Sequence, residues 1–243
     1  MFVRRCLLIL LSGWGATALT PSLAANAEPA TFDPTDHYEV RALEGWSVLV
    51  NKSLIKDNPE LAARTLEHLK YQLYQVVHKV PAAAVEKLRK VRIWVEENET
   101  HHPCMAYHPD AGWLREHGMN PEKARCVEVA NAKNFLSWTK EQPWMVLHEL
   151  SHAYHHQFLE GGFENPEVGE AYRGAMSKKE YASVLHYDGK TVAAYAQTDP
   201  QEYFAEATEA FFGANDFFPF VRAELVKHDP AIEAILAKLW KGE

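Results

Sequence analysis

The feature that most restricts the fold is one helix whose limits and faces can be read directly from the chain. Pro143 opens it, and Gly161-Gly162 closes it. Between them Leu147, Leu150, Tyr154 and Phe158 recur as a single apolar stripe. His148, Glu149 and His152, from the run His148-Glu149-Leu150-Ser151-His152, lie off that stripe. Helical positions i and i+4 stand about 40° apart around the axis and one turn apart along it. The fold must therefore bury the stripe while leaving two imidazoles aimed at a common point.

Two imidazoles so placed can reach one metal ion, and zinc favours nitrogen ligands at short, near-tetrahedral geometry. The glutamate beside the first histidine can hold a water on that ion and take its proton. The spacing is that of zinc metallopeptidases. A catalytic zinc needs a third protein ligand and one open position. The metzincin extension of the motif would need glycine at position 155 and histidine at 158, where the chain has His155 and Phe158. Two glutamates remain as candidates. Glu170 lies one residue short of the spacing used by a large aminopeptidase group. Glu202 opens Glu202-Tyr-Phe-Ala-Glu206, with two carboxylates on one helical face. It is the better placed: Glu202 as the metal ligand, with Glu206 accepting the free ring N–H of a ligand histidine. Glu209 reads equally well as part of a solvated acidic face. His155 reads as a structural or surface residue, and whether it or His186 lines the cleft is left open.

The periodicity elsewhere predicts a single α+β domain with a small sheet. Tyr38 to Leu54 reads as a hairpin turning at Glu44-Gly45, and Pro59 to Lys79 as an amphipathic helix. Pro81 starts a shorter helix. Val91, Ile93 and Val95 alternate like a half-buried strand, and Cys126 to Ala130 reads as another. Val184 to Tyr195 suggests a second hairpin at Asp188-Gly189; Glu202 to Phe212 and Asp229-Pro230 through Trp240 read as helices. Residues 28–100 would form an N-terminal part and 127–243 the zinc-binding part. Residues 101–126 would be a loop-rich insert.

The first 27 residues read as a secretory signal peptide: Arg4 and Arg5, an apolar run from Cys6 to Leu19, then Ala25-Asn26-Ala27 as the cleavage site. Export, to a periplasm or the medium, leaves Cys104 and Cys126, an even pair expected to form a disulfide around the insert. No second stretch is long enough to cross a membrane. The full chain's net charge of −8 argues against nucleic acid as a partner.

The stretch Tyr195-Ala-Gln-Thr-Asp-Pro-Gln-Glu202-Tyr-Phe-Ala-Glu206 makes the reading more specific. Over roughly residues 144–212 the chain resembles the zincins with a glutamate third ligand, the gluzincins, and among them the catalytic domain of the anthrax lethal factor family. The resemblance implies a zincin-like metallopeptidase domain holding one Zn2+ through His148, His152 and Glu202. It implies Glu149 as base and Tyr195, seven residues before the third ligand, as oxyanion donor. The expected substrate is a peptide or protein. A secreted zincin-like protein that binds metal or a partner without catalysis is the alternative. Oligomeric state is open.

Overall fold

The computed structural model describes residues 32–241. The expected signal peptide therefore lies outside the described residues. The chain opens with a hairpin, β1 (Tyr38–Leu43) and β2 (Trp46–Asn51). Glu44 and Gly45 both take positive φ at its turn, 49° and 92°, the backbone that matches strand twist in a tight hairpin. Helices α1 (Lys52–Asp57), α2 (Pro59–Lys79) and α3 (Ala82–Leu88) follow, then β3 (Ile93–Val95), β4 (Met105–His108) and α4 (Ala111–Glu116). Next come β5 (Cys126–Val129), α5 (Ala132–Trp138) and α6 (Met145–Phe158). The C-terminal part is α7 (Pro166–Lys178), the short hairpin β6 (Val184–Leu185) and β7 (Thr191–Val192), α8 (Pro200–Phe212), α9 (Arg222–His228) and α10 (Pro230–Leu239).

The main sheet has the order β1-β2-β3-β5-β4. β2, β3 and β5 run parallel, while β1 and β4 are antiparallel edges. Register puts Val48, Ile93, Val127 and Tyr107 in one row, and Val50, Val95, Val129 and Met105 in another. Both rows face the helices and belong to the main core. The intervening row, Leu49, Trp94, Glu128 and Ala106, faces the opposite side. One continuous core joins the sheet, α6 and the C-terminal helices. The architecture is α+β, with α6 between the sheet on one side and α8 on the other.

Residues 101–126 are not a disulfide-closed insert. β4 is an edge strand of the main sheet, and the connection from His108 to Cys126 lies over the sheet's outer face. Lys123 anchors it there: the buried ammonium donates to Glu96 Oε1 at 2.6 Å and also to Glu128. Glu96 accepts further from the Tyr38 hydroxyl and from Asn51 Nδ2. His108 Nε2 lies 2.6 Å from the second Glu128 oxygen.

Cys104 and Cys126 are both free and buried, which overturns the expected bridge. Register is the reason. Cys126 stands opposite His108, whereas the Cys104 carbonyl accepts from Ala130 N at 2.7 Å. Four ladder steps, about 13 Å along the strands, separate them, well beyond the reach of a disulfide. Cys104 packs on Met145 in the main core, and Cys126 joins Leu49 and Trp94 on the outer face.

Candidate metal centre

α6 is buried along its whole first three turns, Met145 to His155. The sequence leaves its histidine face free, but α8 covers it. α8 is likewise buried from Gln201 to Phe211. Each helix has one polar face, and the two faces meet: His148 and His152 against Glu202, Glu206 and Glu209, at i, i+4 and i+7. All three carboxylates are 1% exposed. Groups this deeply buried require partners, and His148 and His152 supply them to Glu202 and Glu209.

Local chemistry fixes the approach. Asp199 caps α8, its Oδ1 accepting from Gln201 N at 2.8 Å and Glu202 N at 2.9 Å, with Pro200 in the first turn. Glu202 is thereby held in the first turn of its helix. At the other end the Trp144 indole, at the start of α6, lies directly on Gly213. A Cβ at Gly213 would fall inside that ring, so only glycine permits the two helix ends to approach so closely.

The geometry converges on one point. Glu202 Oε2 lies 3.1 Å from His148 Nε2 and 3.6 Å from His152 Nε2. Zinc with ligands at about 2.05 Å in a tetrahedron sets its donor atoms about 3.3 Å apart, so the observed spacings bracket what one ion needs. The donor set, two imidazoles and a carboxylate, also suits zinc. The residues fit the ion.

Behind His148 the other ring nitrogen, Nδ1, faces Glu209 Oε1 at 2.7 Å. Glu206 Oε1 stands 3.7 Å away, and its other oxygen accepts from Asn215 Nδ2 at 3.1 Å. The role expected of Glu206 thus falls geometrically to Glu209. Sequence reasoning undervalued Glu209, though its i+7 spacing from Glu202 on the same face was the available signal. Burial pulls the His148 pKa down, but hydrogen bonds to Glu202 and Glu209, with their charges, outweigh it and hold the group at about 10. Burial pushes Glu202 up, yet His152 and His148 prevail and hold it well below the usual carboxylate range.

Glu149 is 4% exposed and its Oε2 accepts from Tyr107 N at 2.8 Å, on the edge strand β4. Burial raises its pKa above the usual value, although the neighbouring His148 and His152 oppose that. No sequence signal marks the Tyr107 amide, because β4 is a four-residue strand inside the segment expected as a loop-rich insert. Tyr195 begins the 3-10 turn Tyr195–Gln197 between β7 and α8. The turn is fixed by Tyr172 Oη donating to Gln197 O at 2.7 Å, and Tyr195 is half-buried against the core. Glu170 lies on α7, outside the cluster, and among the described residues the candidate metal-holding groups draw only on His148, His152, Glu202, Glu206 and Glu209. His186 is engaged elsewhere, with Nδ1 2.8 Å from Asp188 Oδ1.

No protein-family model matches the chain, and no curated protein matches it in sequence. Among solved structures it is similar to the PRO-PRO endopeptidase PPEP-2 from Paenibacillus alvei, at 20% identity over 75% of this chain and 90% of that one, with a TM-score of 0.42. That likeness is too faint to carry an argument about activity, and it does not extend to the anthrax lethal factor family.

Proposed function

We propose that this chain is an exported zinc-dependent peptidase acting on peptides or proteins. The observation that supports the reading is the convergence of His148 Nε2, His152 Nε2 and Glu202 Oε2, with the Glu149 carboxylate on the next residue of the same helix. Zinc held by those three atoms would supply Lewis acidity, polarising a substrate carbonyl and making water a nucleophile at neutral pH. Glu149 is the proton carrier. It takes a proton from the attacking water and delivers it to the leaving amine nitrogen as the C–N bond breaks. The Tyr107 N–H orients the carboxylate against β4, and Glu209 fixes the tautomer and ring plane of His148. Tyr195 is assigned the oxyanion, its hydroxyl donating to the charge that develops on the carbonyl oxygen.

The test pairs metal content with hydrolysis of a broad peptide library. Wild-type protein is expected to carry about one zinc per chain and to cleave peptides. Glu149→Gln should keep the metal and lose most cleavage; Glu202→Ala should lose the metal. Full activity in the Glu149→Gln protein sinks the mechanism. Metal binding with no cleavage by the wild type would favour a non-catalytic binding protein instead.

A further inference from the structure

The two histidines of the site are held differently. His148 Nδ1 has Glu209 at 2.7 Å. His152 is 1% exposed, and its Nδ1 has no hydrogen-bond partner among the described residues. With Nε2 turned to Glu202, Nδ1 is the nitrogen that carries the proton in the metal-binding tautomer. A buried donor left without an acceptor costs about 1–3 kcal/mol, and metal-bound imidazoles nearly always have one.

Three residues on, His155 shows the complementary deficit. It is fully buried, and both its ring nitrogens lack partners among the described residues. Its ring neighbours are aromatic: Phe163 at 5.3 Å and Phe204 at 4.8 Å between centroids. Burial, and then the nearby His152 and His156, push its pKa down to about 3. The ring is therefore neutral at any ordinary pH and keeps one acceptor nitrogen. Helical positions i and i+3 are neighbours on the helix surface, with Cβ atoms about 5–6 Å apart. Internal waters in proteins typically serve polar groups that would otherwise go unmet.

We propose that His155 is a positioning residue for the metal site, accepting the Nδ1–H of His152 through a single internal water. This rests on the metal-site reading above. It makes the site asymmetric, with one imidazole held by a carboxylate and the other by a neutral imidazole and water. The His152 limb then gains no added negative charge.

The experiment measures zinc affinity by competition with a chromophoric chelator, together with the melting temperature of the metal-free protein, for wild type, His155→Leu and His155→Gln. The leucine variant should bind zinc about 10-fold or more weakly, while its metal-free melting temperature stays level or rises because an unmet polar group has gone. The glutamine variant, which keeps an acceptor, should recover most of the affinity. Unchanged zinc affinity in the leucine variant overturns the proposal, as does a parallel fall of affinity and metal-free stability in both variants. Should the leucine variant not fold, a high-resolution structure of the zinc-loaded wild type decides. Density for a water bonded to both nitrogens supports the assignment, and a direct or dry contact refutes it. Absence of zinc binding by the wild type would instead remove the metal-site reading itself.

Discussion

Replacing Glu209 by alanine removes the acceptor 2.7 Å from His148 Nδ1 while leaving the three proposed metal-binding atoms in place. The size of the effect follows from what remains. Glu206 Oε1, at 3.7 Å, is beyond hydrogen-bond reach and its other oxygen is engaged by Asn215. His148 would keep its position but lose the bond that fixes its tautomer. Outer hydrogen bonds of this kind are worth about 10- to 100-fold in metal affinity, or about 1.4–2.8 kcal/mol at 1.4 kcal/mol per decade. Glu209→Ala is therefore expected to weaken zinc by that factor. Glu209→Gln keeps an acceptor without the charge and should lose less than about tenfold, and Glu206→Gln less than about threefold. Chelator competition on the three variants, at one pH and one ionic strength, reads the order directly. An unchanged affinity for Glu209→Ala, or a larger loss for Glu206→Gln, would refute the assignment of the two carboxylates.

Four further outcomes are expected. Tyr195→Phe should lower peptide turnover by about 10²- to 10³-fold with zinc content unchanged; an unaltered rate moves the oxyanion role elsewhere. Gly213→Ala forces a methyl group into the Trp144 indole and should cost about 1–3 kcal/mol in denaturant unfolding; an unchanged unfolding free energy would refute the role given to this contact. Burial opposes ionisation of Glu128, but Lys123 and then His108 hold its pKa down to about 2 from 4.5. Its stabilising contribution is thus complete above about pH 4.5 and lost as the pH falls toward 2. Lys123→Met strands two buried carboxylates and should cost about 3–5 kcal/mol at neutral pH. It should also move acid unfolding, followed by circular dichroism, to higher pH; an unshifted transition would contradict the role given to the network. Finally, Cys104 and Cys126 should react with a thiol reagent only after unfolding, and added reductant should leave the melting temperature unchanged.

Local signals explain much of what could be read early. The turn at Glu44-Gly45, the helix from Pro59 to Lys79 and the short hairpin at Asp188-Gly189 depend on proline, glycine and periodicity within a few residues. Where tertiary partners decide, the reading failed. α7 and α5 have short apolar faces, and the four residues of β4 between two loops carry little pattern, so none of the three is legible locally. The cysteines misled for the same reason: 22 positions apart in a segment taken as a loop, they looked adjacent, and only the β4–β5 register separates them.

The chain by itself determined which atoms share a helical face, because i and i+4 spacing is a property of the helix and needs no partner. That covers His148 with His152 on α6 and Glu202 with Glu206 on α8. Tertiary structure alone decided how those faces meet. The crossing of α6 and α8, locked where Trp144 lies on Gly213, brings Glu202 between the two imidazoles and Glu209, rather than Glu206, to the back of His148. It also decided that the histidine face is buried and that an edge-strand amide orients Glu149. Spacing along one helix is local geometry. The angle between two helices is set by side chains packed from distant parts of the chain, and no single segment encodes it.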